Sequence, residues 1–170
     1  IKYVKEFLEE NEENKVVIFV TYVDMLDKIA ESLGADMCRT YSGRLNAKTK
    51  EANKIAFNND PKVRVLISSD AGGYGVDLPA ANLLINYDLP WNAGLATQRN
   101  GRIKRASSKW PSIVVQDILV SGSIEVRQYE MLQQKNAVAN AVIDGEGIDE
   151  KGEVSLTVGS LSGFLRLASV

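Results

Sequence analysis

The chain has 170 residues, of which 45% are hydrophobic, and this suits a single domain with a substantial core. Its formal net charge of −2 excludes a domain that is basic over its whole surface, so any contact with nucleic acid must be a local patch. The chain has no histidine and one cysteine, Cys38, which excludes an intramolecular disulfide, a zinc site built from Cys and His, and catalysis by a histidine base.

Apolar patterns alternate between strand-like and helix-like along the chain. Residues 16–20 are a continuous apolar run, typical of a strand covered on both faces, whereas the apolar residues of 25–33 recur at helical spacing and precede Gly34, which suits a helix end. Strands separated by helices in this way predict βαβ units and a parallel sheet of about five to six strands. The predicted elements are helices over 1–13, 25–33, 47–58, 93–103 and 123–141, and strands over 16–20, 36–41, 63–67, 81–87 and 113–119.

The helix over residues 47–58 illustrates the local signals. We expect Asn46 to cap its first turn, and the Asn-Asn-Asp-Pro run at 58–61 to end it. Its inner face is predicted to carry Ala52, Ile55, Ala56 and Phe57.

Composition changes near residue 144. Residues 144–153 hold five acidic residues against one lysine, with three glycines among them, and this predicts a solvated linker. We therefore divide the chain into a domain over 1–143 and an acidic linker with a C-terminal helix over 144–170. The apolar side of that last helix either docks on the domain or packs on a neighbour outside it.

Residues 68–79 follow a predicted strand and contain Gly72, Gly73 and Gly75. Glycine lets the backbone approach a ligand closely or adopt positive φ, and open α/β sheets bind ligands in the loops after the carboxyl ends of their strands. The stretch therefore predicts a ligand loop, with a merely tight turn as the alternative.

The interval between Asp88 and Asp117 has no acidic residue and concentrates positive charge, which suggests an anion site. Arg102 and Arg105 are three residues apart, so on a helix they would face the same way and could grip a polyphosphate. The alternative is a solvated basic helix face. The bases of this interval are Arg99, Arg102, Lys104, Arg105 and Lys109.

Four segments resemble, in order, motifs of superfamily-two helicases and translocases. Residues 98–105, Gln-Arg-Asn-Gly-Arg-Ile-Lys-Arg, resemble motif VI, which reads Gln or His, Arg, any residue, Gly, Arg, two of any kind, Arg. Residues 68–79 resemble motif V, residues 16–22 motif IV, and residues 41–43 the turn that follows it. The likeness covers about residues 1–140 and implies a RecA-like lobe, related to the P-loop NTPases, as the second of two lobes.

Within the superfamily, the likeness is greatest to the Swi/Snf group of double-stranded DNA translocases. Trp91-Asn92 stands where that group has Trp-Asn-Pro, and residues 121–127 resemble its Gly-Thr-Ile-Glu-Glu-Arg segment. Ala93 replaces the proline, and Gly101 stands where the group usually has Asp. The likeness to the Swi/Snf group favours duplex DNA over single strands or RNA. Gly101 and residues 88–90 are closer to the DEAD-box and RecG-like branches and leave the subgroup open, and a phage-type remodelling helicase fits the mixture.

The resemblance implies roles for single residues on the nucleotide side. Arg102 and Arg105 match the arginine fingers that reach the ATP γ-phosphate across the cleft, and Gln98 matches their companion. Gly75 and Asp77 match motif V positions near the ribose, although Asp77 could be a simple turn residue.

A second group matches positions that hold the phosphates of the tracked strand, although Thr21 and Ser69 could be strand-end caps. Trp91 and Asn92 match a segment that couples the two sites, and ordinary core packing is the alternative for Trp91. The phosphate-side residues are Thr21, Ser42, Gly43 and Ser69.

The chain contains no Gly-Lys-Thr or Gly-Lys-Ser phosphate loop and no Asp-Glu-x-His box. We therefore expect the C-terminal lobe of an ATP-dependent DNA helicase or translocase, with ATP and Mg held mainly by an N-terminal lobe, and an isolated chain without activity. The alternatives are an independent α/β phosphotransferase and a non-catalytic scaffold for protein contacts.

The lone cysteine favours a reducing compartment, so we expect an intracellular protein, cytoplasmic in a bacterium or a phage-infected host, or nuclear. No apolar run is long enough to cross a membrane, and residues 1–7 lack the features of a signal peptide. The first residue is not Met, which we take to indicate a fragment of a longer chain.

Overall fold

The computed structural model describes residues 1–70, 75–90 and 92–133. Within them, five strands form one parallel sheet in the order β2-β3-β1-β4-β5, so the predicted parallel α/β architecture is confirmed. The strands are β1 (Val16–Val20), β2 (Cys38–Tyr41), β3 (Val65–Ser69), β4 (Leu83–Asn86) and β5 (Val114–Asp117).

Within the described residues up to the end of β5, one helix precedes β1, and three more connect β1 to β2, β2 to β3 and β4 to β5. They are α1 (Lys2–Glu10), α2 (Asp24–Leu33), α3 (Ala47–Asn59) and α4 (Ala93–Ile103). The strand predicted over 36–41 begins only at Cys38, because a single 3-10 turn occupies Ala35–Met37. Gly34 ends α2 with a φ of 112°, a conformation that a side chain would strain, as the sequence predicts.

The chain divides into two compact units, one of residues 1–90 with 94–118, the other of residues 91–93 with 119–170. The first contains the sheet. In the second, residues 124–133 are helical, and the Ser123 Oγ accepts a hydrogen bond from the Glu125 N–H at 3.1 Å, as expected of the predicted cap. The continuation of this helix to 141, the linker over 144–153 and the C-terminal helix lie outside the described residues, and the predicted boundary at 143/144 stays a prediction.

Helices cover both faces of the sheet. In β1 all five side chains are buried; Val16, Ile18 and Val20 pack with α1 and α2, whereas Val17 and Phe19 pack with buried residues of α3 and α4. Burial on both faces explains why this strand reads as a continuous apolar run without alternation.

The inner face of α3 is narrower than its sequence predicts. Phe57 is fully buried and Ala56 packs at the margin of the core, but Ala52 is exposed and Ile55 is 49% exposed, so the prediction for these two is wrong. The predicted cap is confirmed, because the Asn46 Oδ1 accepts a hydrogen bond from the backbone N–H of residue 49 at 2.8 Å.

Two cations close the edge of the sheet at which the strands begin. Lys15 is 8% exposed, and its Nζ donates to the carbonyls of Phe57 at 2.6 Å and Asp60 at 2.8 Å at the end of α3. Burial lowers the pKa of this ammonium. Arg64 likewise donates to the Leu8 carbonyl in the last turn of α1, so each cation satisfies carbonyls at a helix C-terminus.

Candidate nucleotide and nucleic-acid site

The residues predicted to hold strand phosphates lie in a row at the carboxyl edge of the sheet. Tyr41 is the register partner of Ser68, and Val20 is the partner of Ser69, so Ser42 comes beside Ser69, and Thr21 follows β1 next in the row. We call Thr21, Ser42, Gly43 and Ser69 the carboxyl-edge row.

Members of the carboxyl-edge row differ in exposure. Gly43 is exposed and Thr21 is half-buried, whereas Ser42 is 4% and Ser69 2% exposed. The Thr21 N–H donates to the Asp88 Oδ2 at 2.8 Å, so this amide is already occupied by a neighbouring loop. Gly43 and the Thr21 side chain are therefore the members of the row that an incoming phosphate reaches most directly.

Residues of the predicted nucleotide group come together elsewhere on the first unit. The Arg105 guanidinium pairs with the Asp77 carboxylate at 2.6 Å, and the Leu78 N–H donates to the Arg102 carbonyl at 2.9 Å. The Asn58 Nδ2 donates to the Asp77 carbonyl at 3.3 Å. Since Asn58 lies at the end of α3, and α3 begins after the carboxyl end of β2, this group is displaced from the carboxyl-edge row toward the opposite edge of the sheet.

Helix α4 presents two different faces. Gln98 is exposed and Arg102 half-exposed, and residues four apart share a helix face. Arg99 and Ile103 share the opposite face and are 1% and 0% exposed. Because α4 ends at Ile103, Arg105 stands in the turn beyond it, and the helical-face argument for pairing Arg102 with Arg105 is wrong.

Gly75 has a φ of 72°, in the left-handed region where a side chain costs strain, although a Cβ there would meet no atom within 4 Å. Backbone conformation rather than space therefore requires glycine at this position. Asn92 is exposed. Gly72, Gly73 and Trp91 lie outside the described residues.

Arg99 is a buried centre of hydrogen bonds that the sequence did not single out from the other bases. Its Nε and one terminal nitrogen contact the two Asp70 oxygens at 2.6 and 2.7 Å. The other terminal nitrogen donates to the Asn86 Oδ1 at 3.0 Å and to the Asp88 carbonyl at 2.7 Å, and the guanidinium lies 5.3 Å from the Phe19 ring centre.

The basic interval is partly neutralised. Arg99 pairs with Asp70, Arg105 pairs with Asp77, and the Lys109 Nζ lies 2.8 Å from a Glu13 oxygen, a contact that lowers the pKa of the Glu13 carboxyl. Among the residues that the structure describes, Arg102 and Lys104 have no ion-pair partner. The hypothesis of one continuous anion site over the interval is therefore too broad, since Arg99 cannot reach a ligand.

A further base stands at the carboxyl-edge row. Arg44 follows Gly43 in the turn after β2, and its guanidinium pairs with the exposed Asp24 carboxylate at the start of α2. Hydrogen bonding to Arg44, with its charge, lowers the pKa of Asp24. The position of Arg44 next to the predicted phosphate turn could have indicated this base from the sequence. Its ion pair could not have been predicted in that way, because Asp24 is twenty residues away.

An apolar cavity of about 200 Å³ lies between α1, α2 and the sheet, and Val4, Met25, Ile29 and Tyr87 are among its lining residues. It contains no residue of the predicted site. Within residues 1–70, 75–90 and 92–133, no group of three or more His, Cys, Asp or Glu side chains could hold a metal ion. No helix in those ranges has the length and apolar character needed to cross a bilayer.

The parallel sheet, its strand order and the helices on both faces define a RecA-like lobe. In agreement, the C-terminal part of the Fun30 ATPase domain superposes with a TM-score of 0.68 over 77% of this chain and 42% of that chain, at 22% identity. The chain belongs to the family of the Helicase conserved C-terminal domain, whose model matches residues 1–107. Members of this family form one lobe of ATP-dependent helicases and translocases.

Curated relatives confirm the predicted likeness to the Swi/Snf group. The chain is 30% identical over 147 residues to the DNA repair protein rad8 of Schizosaccharomyces pombe, covering 85% of this chain and 13% of that protein. It is 31% identical over 157 residues to the chromatin-remodeling ATPase INO80 of Candida glabrata, covering 88% of this chain and 10% of that protein. The chain thus spans about an eighth and a tenth of these two relatives.

Proposed function

We propose that this lobe is the C-terminal half of the motor of an ATP-driven DNA translocase. In this function it completes the ATP site with Arg102 and Arg105 and holds the phosphate backbone of DNA at the carboxyl-edge row. An N-terminal lobe supplies the phosphate loop, the magnesium ligands and the residues that activate water, none of which has a recognisable motif in the 170 residues.

One observation carries the nucleotide assignment. Asp77 and Arg105 come from two different motifs, were assigned to the same ligand, and form an ion pair at 2.6 Å. Their side chains are 60% and 37% exposed, so both remain accessible from solvent. A ribose hydroxyl can take the place of Arg105 beside Asp77, which frees the guanidinium for a phosphate.

Exposed Gln98 and half-exposed Arg102 share one face of α4 and extend the same group. Guanidinium groups that meet the γ-phosphate as its charge changes in the transition state accelerate transfer more than they tighten ATP binding. Arginine suits this role because its planar fork matches phosphate oxygens, which the point charge of lysine does not.

The nucleic-acid assignment is supported by the row of Thr21, Ser42, Gly43 and Ser69 and by Arg44 beside it. Amides, hydroxyls and one base can position a phosphate backbone without reading its sequence. Relatives described as a DNA repair protein and a chromatin-remodeling ATPase favour DNA as the substrate. The likeness of Trp91-Asn92 and residues 121–127 to the Swi/Snf group favours duplex DNA.

In this mechanism, ATP closes the cleft between the two lobes and hydrolysis opens it. Each cycle would move one lobe along the strand while the other holds it. The separation of the nucleotide group from the carboxyl-edge row lets one lobe face both ligands at once. The protein would accordingly work where DNA is, in the cytoplasm of a bacterium or in a nucleus.

The test compares ATP hydrolysis by this chain alone with hydrolysis by the protein joined to its N-terminal lobe, each with and without duplex DNA, single-stranded DNA or RNA. We expect no turnover by the chain alone, turnover by the joined lobes, and the largest stimulation by duplex DNA. Turnover by the chain alone would refute the division of the ATP site. Joined lobes that fold but do not hydrolyse ATP would favour the scaffold.

A further inference from the structure

Arg99 has a position that packing alone does not explain. It is the largest fully buried side chain of the described residues, at 1% exposure, and it occupies the core-facing side of α4, where an apolar residue would normally stand. A buried ion pair often contributes no more to stability than apolar residues of the same volume, because both charges lose their hydration. What such a pair does fix is the relative position of the segments that it joins.

The guanidinium hydrogen-bonds to two segments at once. Asp70 directly follows Ser69 of the carboxyl-edge row, and Asn86 and Asp88 stand at the end of β4. Asp88 in turn accepts the N–H of Thr21, another member of the row. Ser69 is therefore adjacent in sequence to a residue bound to Arg99, and Thr21 is one hydrogen bond away from another such residue.

The other end of this connection is α4 itself. Arg99 lies next to Gln98 and one turn before Arg102, and α4 is a continuous helix over all three residues. A rigid helix transmits a displacement of one residue to its neighbours, so a shift of Asp70 or Asp88 must move α4 or break the hydrogen bonds of Arg99.

We propose that Arg99 is a positioning residue that couples the carboxyl-edge row to the nucleotide group of α4, so that engagement of DNA phosphates aligns Gln98 and Arg102 for ATP hydrolysis. Arg99 touches neither ligand, because it is buried. The Asp70 side chain is 23% exposed and is the member of the network through which a strand at the row acts most directly. This inference rests on the proposed function.

The test uses the protein with its N-terminal lobe and the variant Arg99→Met, which keeps an unbranched apolar stem against Phe19 but removes every donor. The measured quantity is the ratio of DNA-stimulated to basal ATP hydrolysis, together with DNA affinity and the melting temperature. We expect the ratio to fall about tenfold, within the usual range of coupling between two sites. The apparent affinity for DNA should change much less than the ratio, since no phosphate ligand is lost.

Lys15→Met is the matched control. Lys15 is also a buried cation whose donors bind backbone carbonyls, but it lies at the opposite edge of the sheet and outside this network. We expect Lys15→Met to lower the melting temperature and to leave the ratio unchanged. An equal fall of the ratio in Lys15→Met and Arg99→Met would show that loss of stability alone causes it and would overturn the proposal.

Asp70→Asn provides a second variant in case Arg99→Met does not fold. It keeps the shape of the side chain and one acceptor oxygen, but it removes the negative charge and the second acceptor that makes the pair bidentate. We expect a smaller fall of the ratio than in Arg99→Met, about threefold to fivefold. An unchanged ratio in a folded Asp70→Asn protein would overturn the coupling role. A protein that neither hydrolyses ATP nor responds to DNA before any substitution would instead refute the proposed function.

Discussion

Replacement of Arg105 by alanine separates a role in catalysis from a role in stability. The Arg105–Asp77 pair is solvent-exposed on both sides, with side chains 37% and 60% accessible, so its contribution to the free energy of unfolding is at most about 1 kcal/mol. For a protein of this size, that corresponds to a fall in melting temperature of about 2–4 °C. Loss of an arginine finger, by contrast, lowers kcat by about a thousandfold or more.

The assay is steady-state ATP hydrolysis by the protein with its N-terminal lobe at saturating DNA, with melting curves on the same preparations. Lys109→Ala is the matched control, because Lys109 belongs to the same basic interval and also forms an exposed ion pair, with Glu13 at 2.8 Å. We expect both variants to remain folded and only Arg105→Ala to lose turnover, in kcat more than in KM for ATP. A folded Arg105→Ala protein with near-normal kcat would refute the arginine-finger assignment.

Three further predictions follow from local contacts. Asp24→Asn should release Arg44 beside the carboxyl-edge row, so DNA binding should tighten at low salt and its salt dependence should steepen by about one counterion. The control is Asp36→Asn, which removes an exposed carboxylate at the other edge of the sheet and should have neither effect; equal effects of the two variants would contradict a local contact. Asn46→Ala should cost about 1 kcal/mol of stability in denaturant unfolding and Asn46→Asp much less, since only alanine cannot cap α3; equal losses would refute the cap. Burial raises the pKa of Cys38 to about 11, so the folded thiol keeps its proton at a pH where the unfolded thiol loses it. The free energy of unfolding should therefore fall as pH rises from about 9 to about 11, and the same fall in Cys38→Ala would refute this cause.

Strands and helix ends were predictable from the sequence because their causes are local. Residues 16–20 are apolar without interruption because β1 is central. Asn46 caps α3 through a backbone N–H three residues further on, and Gly34 ends α2 through its own positive φ. The face of α3 was predicted less well. Ile55 is apolar but points away from the sheet, and a single apolar residue at the edge of a helical stripe does not reveal which side the core occupies.

For the candidate site too, the sequence was informative about some residues and not about others. The resemblance to motifs V and VI assigned Asp77 and Arg105 to one ligand, and the structure brings their side chains into contact. Spacing could not separate Arg99 from the other bases, because its burial depends on Asp70 and Asn86, which lie 29 and 13 residues away. The predicted end of α4 at residue 103 agrees with the structure, so Arg105 lies beyond the helix, and the argument that placed Arg102 and Arg105 on one helix face required a longer helix than the sequence predicts.

The strand order has a consequence for how the chain acquires its structure during synthesis. β1 leaves the ribosome first of the five strands, yet both of its neighbours come much later, since Val16 pairs with Val65 and with Leu83. Its apolar residues must therefore remain without any sheet partner until about seventy residues have emerged, and without their second partner until nearly ninety have emerged. Long-range pairing of this kind is slow. α1 and α2 are the segments available to cover β1 in that interval, because Val4, Leu8, Leu26 and Ile29 pack on the same face of the sheet as Ile18 in the finished domain. A nascent chain that ends before β4 would expose one side of β1 as an unpaired edge, and it is at that stage that this lobe is most prone to aggregate.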